Sequence, residues 1–178
     1  MLGLFLSTHA VGRGRGQRRF NGPLTLSASA VIALWTEIGE SVARTGIRKL
    51  VLFNSHGGQV SVMDIVARDL RARLDMLVYS VSWFNLPLGP AVDALFSADE
   101  QRFGIHAGAV ETSMRLALAP QLGARTHAQN FPPRPQVRAK QFPVLGDGKS
   151  AKLGWQMQDY NPAGAVGNAA AATAAKGQ

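Results

Sequence analysis

The chain has 178 residues, 46% hydrophobic and 17% charged, enough to build one domain around a sizeable core. It contains no cysteine, which excludes disulfides and thiolate metal sites and leaves any metal to His, Asp or Glu. A net charge of +8 and a pI near 10.8 raise the question of a polyanionic partner.

The opening MLGLFLSTHA is apolar, but no basic residue precedes the run and it is too short to span a bilayer. It predicts no membrane partner and a cytoplasmic protein. The following VGRGRGQRR places Arg13, Arg15, Arg18 and Arg19 in a glycine-spaced run with no acidic neighbour. Residues 1–19 read as a basic, disordered tail, and as a phosphate-attracting segment only in the alternative. Such a run would bind nucleic acid without reading bases, so nucleic acid is not the expected partner. Arg134, Arg138, Lys140, Lys149 and Lys152 are scattered over the C-terminal third as ordinary surface.

From Leu24 onward the pattern is regular. Val31, Leu34, Trp35, Ile38 and Val42 recur at helical spacing within Ser27–Thr45, with a serine to cap the start and Gly46 to end it. Ile47–Phe53 is a short β-branched and aromatic run of the kind found in strands buried on both faces. Ser61–Leu74 predicts a second helix and Met76–Trp83 a second strand. Helix, strand, helix, strand is the signature of an α/β fold with a parallel sheet over residues 20–178.

In such sheets ligands bind beyond the carboxyl ends of the strands, where Asn54–Gln59 and Ser82–Asn85 fall. His56 and Trp83 are therefore expected at one crevice. Gly57 and Gly58 allow a ligand to approach the backbone before the next helix. A lone histidine after a strand is commonly a hydrogen-bonded turn residue, but the paired glycines and a second cluster favour a functional one.

That second cluster is IHAGAVETS, Ile105–Ser113, with Phe103–Gly108 read as a loop and Ala109–Ala119 as a helix. Glu111 falls in the helix's first turn. It either complements the helix dipole, worth roughly 0.3–1 kcal/mol, or points out of the helix start towards His56 as a metal ligand while His106 serves as acid or base. Spacing does not choose between these. Further on, Asn130–Pro143 is proline-rich and loop-like, Trp155–Asp159 reads as strand or turn, NPAG at Asn161–Gly164 as a turn, and the alanine-rich Asn168–Lys176 has good helix propensity.

The runs FNGPLTLS, VLFNSHGGQ, VYSVSW, GIHAGAVETSM and GWQMQDYNPAGAVGNAAAATAAKGQ, in this order, resemble the creatininase (creatinine amidohydrolase) family from about Phe20 to the C terminus. The resemblance implies a three-layer α/β sandwich with a mostly parallel sheet, assembly into homo-oligomers, and hydrolysis of a C–N bond in a small cyclic or linear amide at a dinuclear Zn or Mn centre. Carried over by position, it makes His56 and Glu111 metal ligands, His106 the proton-shuttling catalytic histidine and Trp83 the aromatic that closes over substrate.

The departures are equally specific. Gly58 stands where creatininase has a carboxylate two residues after the turn histidine, and Ile105 stands where an acidic residue precedes the loop histidine. Both argue against creatinine as the substrate. Before His56 the acidic residues are Glu37 and Glu40, inside the predicted helix, and the other histidine is His9, so the family's upstream ligands have no counterpart. The resemblance thus implies a member lacking the first strand or strands, with an incomplete metal site and compromised activity. The alternative is a non-catalytic protein of the family fold that acts by oligomerisation.

Overall fold

The structure, a computed structural model, describes residues 5–6, 8–14, 16, 24–122, 125–146, 148 and 150–178. Arg15, Arg18, Arg19, Phe20–Pro23 and Lys149 lie outside the described residues. The chain divides into two compact units, Met1–Pro87 and Leu88–Gln178.

The first unit is a helix–strand–helix–strand run. Helix α1 (Ala28–Arg44) starts where Ser27 Oγ accepts a hydrogen bond from Ala30 N, and stops at Thr45 and Gly46, whose φ of 89° an L side chain rarely adopts. Strand β1 (Lys49–Asn54) leads to helix α2 (Val60–Leu74), and Asp75 at φ 52° turns the chain into strand β2 (Leu77–Ser82). The strands pair in parallel, from Lys49 opposite Leu77 to Asn54 opposite Ser82. This is the expected α/β arrangement. Val66, Leu70 and Met76 form its core, packed by Ile32, Trp35 and Val42 of α1 and by Leu50, Leu52 and Val78 of the strands. Gly39 lets α1 approach α2 closely, since a Cβ there would lie 2.3 Å from Leu70 Cδ1. Arg73 of α2 adds ion pairs to Asp69 and to Glu40 of α1, and holds the Asp69 carboxyl below its ordinary value.

The expectation that the first strand is buried on both faces is not met. Side chains alternate along β1, and while Leu50 and Leu52 point into the core, Val51 and Phe53 are 59% and 67% exposed. On β2, Leu77 and Tyr79 are likewise exposed. A run of consecutive apolar residues reads the same whether one face or both are covered, and here the helices cover one.

The second unit carries short helices α3 (Pro90–Asp93), α4 (Ala98–Phe103) and α5 (Ala109–Leu118), followed by β3 (Asn130–Phe131), α6 (Arg134–Gln141), α7 (Met157–Tyr160) and β4 (Gly167–Asn168). Strands β3 and β4 pair antiparallel. Three sequence expectations change. Trp155–Asp159, read as strand or turn, runs into helix α7, whose start is closed by a reciprocal cap in which Gln156 N donates to Asp159 Oδ2 at 2.7 Å. The proline-rich Asn130–Pro143 contains helix α6, because Pro135 lies in its first turn, where a missing N–H costs nothing. The alanine-rich Asn168–Lys176 is not an α-helix but two 3₁₀ turns, Ala169–Ala171 and Ala175–Gly177, packed along α5. Ala169 and Ala172 are buried, and a Cβ on Gly177 would lie 2.1 Å from Ser113 O, so contact with α5 outweighs alanine's helix preference. NPAG is a turn, closed by Gly164 N donating to Asn161 O at 3.1 Å. No helix among the described residues is long and apolar enough to cross a membrane.

Candidate functional site

His56 sits in a turn organised by Asn54, the last residue of β1, which is 1% exposed. Asn54 Oδ1 accepts from His56 N at 3.0 Å and from Gln59 Nε2 at 2.9 Å. Its Nδ2 donates to His56 O at 2.9 Å and to Ser82 Oγ at 3.1 Å. A single buried amide thus shapes the turn and ties it to the end of β2, immediately before Trp83. Buried polar groups require this kind of satisfaction, and Asn provides two acceptor sites and two donors. His56 and Trp83 therefore follow the carboxyl ends of adjacent strands, where the topology argument placed them.

The described part of the arginine-rich opening lies on this turn. Arg13 Nη1 donates to Gly58 O at 3.2 Å and Arg13 N to Gln59 Oε1 at 3.4 Å. Gly14 faces the imidazole, with a Cβ there falling 3.2 Å from His56 Nε2. At Gly58 a Cβ would be 2.7 Å from both Arg13 O and His56 Nε2. A carboxylate at position 58 and this placement of Arg13 exclude each other, which gives the glycine a physical reason.

His106 and Glu111 belong to the second unit and meet there. Ile105 N donates to Val166 O at 3.0 Å and Val166 N to His106 O at 2.7 Å, an antiparallel bridge that holds the backbone of His106. Glu111, in the first turn of α5, reaches back so that its Oε2 accepts from Ala107 N at 2.6 Å and its Oε1 lies 3.4 Å from His106 Nδ1. The carboxylate complements the helix start and also faces the imidazole. Between them Ala107 is at φ 54°, a left-handed conformation that costs a non-glycine residue about 1–2 kcal/mol.

Sequence reading did not single out Asn54 or Glu100. Asn54 carried a local signal, since an asparagine two residues ahead of a turn amide commonly accepts from it. Glu100 carried a misleading one. Ser97 and Glu100 have capping-box spacing, and Ser97 Oγ does accept from Glu100 N, but the glutamate side chain turns away to Ala109 N and Asn168 N.

The expected metal centre requires several donors at one point. Among the described residues, no three His, Asp or Glu side chains gather closely enough to hold an ion. His106 and Glu111 are brought together as a pair. The described residues do not fit a dinuclear Zn or Mn centre.

A parallel β–α–β frame with a histidine turn after one strand, together with an imidazole–carboxylate pair at a helix start, defines an α/β protein with a candidate acid–base site on its loops. The chain belongs to the creatininase family, whose model, described as creatinine amidohydrolase, matches residues 2–178. It is 30% identical over 152 residues to a creatinine amidohydrolase of Pseudomonas putida, covering 81% of this chain and 58% of that one. It is 31% identical over 172 residues to a mycofactocin precursor peptide peptidase of Mycobacterium ulcerans (strain Agy99), covering 95% and 57%. A crystal structure of creatinine amidohydrolase superimposes with a TM-score of 0.66 at 25% identity, over 94% of this chain and 65% of that one. A creatininase point mutant of the Zn–Zn type gives 0.64 at 26% identity, over 92% and 62%. The chain therefore spans less than two thirds of the length of each of these relatives.

Proposed function

We propose that this chain acts in the hydrolysis of a C–N bond of a small cyclic or linear amide, with His106 as the acid–base residue. The observation that carries this reading is the contact between His106 Nδ1 and Glu111 Oε1 at 3.4 Å on a loop whose backbone is held at several points. An ionised Glu111 accepts from Nδ1–H and fixes the tautomer, so Nε2 carries the lone pair that takes up a proton and passes it to the departing nitrogen. Trp83 offers a flat apolar surface for a planar amide. The names of the two sequence relatives, an amidohydrolase and a peptidase, support C–N hydrolysis.

His56 in the first unit and Glu111 in the second are each proposed as a metal donor, and the described donors predict only weakly held Zn or Mn, at less than one ion per chain. The test is metal content of chelator-washed protein reloaded with Zn and Mn, alongside hydrolysis of a panel of small amides. Expected are less than one ion per chain and slow hydrolysis that falls by about 10²–10⁴-fold in His106→Ala. Two tightly held ions would overturn the donor assignment, and turnover unchanged in His106→Ala would overturn the proton role.

A second reading, assembly without catalysis, is favoured by the exposed apolar face of the parallel sheet. Val51, Phe53, Leu77 and Tyr79 lie together there, and fully burying such a side chain is worth about 1.5–3 kcal/mol. The proposed occupant is a second copy of the chain. Light scattering should give a mass that rises with concentration and returns to that of the monomer in Phe53→Glu. A monomer at all concentrations would reject it.

A further inference from the structure

We infer that Glu100 is the positioning residue of the His106–Glu111 pair, a carboxylate that acts on the backbone carrying the pair rather than on a substrate. The inference rests on the reading of that pair as the working end of the site.

Glu100 is 8% exposed, and its side chain accepts two short bonds from main-chain donors far apart in sequence. Oε1 takes Ala109 N, the first residue of α5, at 2.6 Å, and Oε2 takes Asn168 N on β4 at 2.8 Å. Its hydrogen-bond partners among the described residues are therefore backbone amides. Burying a carboxylate costs several kcal/mol unless its oxygens are well satisfied, and two charge-assisted bonds, one of them at the start of a ten-residue helix, supply that. The surrounding backbone is shaped to admit it. Gly104, Gly108 and Gly167 all press on the carboxylate, and a Cβ on any of them would lie between 2.1 and 2.9 Å from one of its oxygens.

The consequence concerns His106. Helix α5 has Gly108 at its cap position, with no side chain to bond the exposed amides, so Glu100 does this from nine residues upstream. The same carboxylate grips β4 next to Val166, the residue whose backbone brackets His106. The loop from His106 to Ala109 is then clamped twice, by Glu111 at Ala107 N and by Glu100 at Ala109 N, with the left-handed Ala107 between the clamps. Such a conformation persists only where the surroundings over-determine it. Without Glu100 one clamp and the link to β4 both go, and the His106 ring loses its fixed place against Glu111.

The test uses the full chain with Glu100→Gln, which preserves shape but can present an oxygen to only one of the two amides, and Glu100→Asp, which preserves charge but not reach. The readouts are the nitrogen resonances of the His106 ring and hydrogen exchange at Ala109 and Asn168. In Glu100→Gln, exchange should accelerate on the order of tenfold at one of those amides, and the His106 resonances should shift. Glu100→Asp should not restore them. A folded Glu100→Gln protein with both readouts unchanged would overturn the proposal. So would a lower Tm with an unchanged His106 spectrum, since that marks a purely structural carboxylate. Neither readout needs turnover. A parent chain that hydrolyses no amide refutes the catalytic reading alone, whereas unchanged His106 resonances refute this one alone.

Discussion

The His56 turn and the His106 loop solve one problem, holding an imidazole on irregular backbone, by different means. At His56 the organiser is a neutral amide, Asn54, whose partners lie within five residues or on the neighbouring strand. At His106 the organisers are two carboxylates, and the structure around them depends on Val166 and Asn168, some sixty residues away. The first site is a property of a β–α–β frame and needs little beyond it. The second exists only once the C-terminal segment has been laid along α5.

The two arrangements should break differently. The largest effect is expected from Asn54→Ala, which strips four hydrogen bonds from a buried position and leaves His56 N and Ser82 Oγ without them. It should cost about 1–3 kcal/mol in urea unfolding and speed hydrogen exchange at His56 N, and an unchanged urea midpoint would show that other contacts hold the turn. A smaller effect, of opposite sign, is expected at the other site. Ala107→Gly relieves the left-handed strain at a cost in chain entropy, for a net gain of at most about 1 kcal/mol, and should loosen the His106–Glu111 contact. A loss of stability in this variant would show that Ala107's methyl group, and not the clamps, holds the loop.

The same contrast explains what could be read in advance. Helices α1, α2 and α5 and strands β1 and β2 came within a residue or two of their expected ends, since apolar periodicity and local caps such as Ser27 and Gly46 are properties of neighbouring residues. His56 and Trp83 were placed at adjacent strand ends by topology alone. Glu100 could not be found that way, because its partners are backbone amides whose identity leaves no trace in sequence and whose nearness arises only on folding. The alanine-rich terminus misled for a related reason, as propensity describes an isolated segment and Ala169 and Ala172 are packed on α5.

By itself the sequence determined the element order of the first unit with its parallel β–α–β frame, the absence of thiol chemistry and the two histidine-bearing loops, because these follow from composition and short-range pattern. Only the tertiary structure decided that one face of the sheet stays exposed and that Arg13 occupies the space beside Gly58. It likewise decided that Glu111 pairs with His106, and that Glu100 ties the start of α5 to β4. Each of these depends on which distant backbone atoms come within about 3 Å of one polar group, the distance at which a hydrogen bond forms.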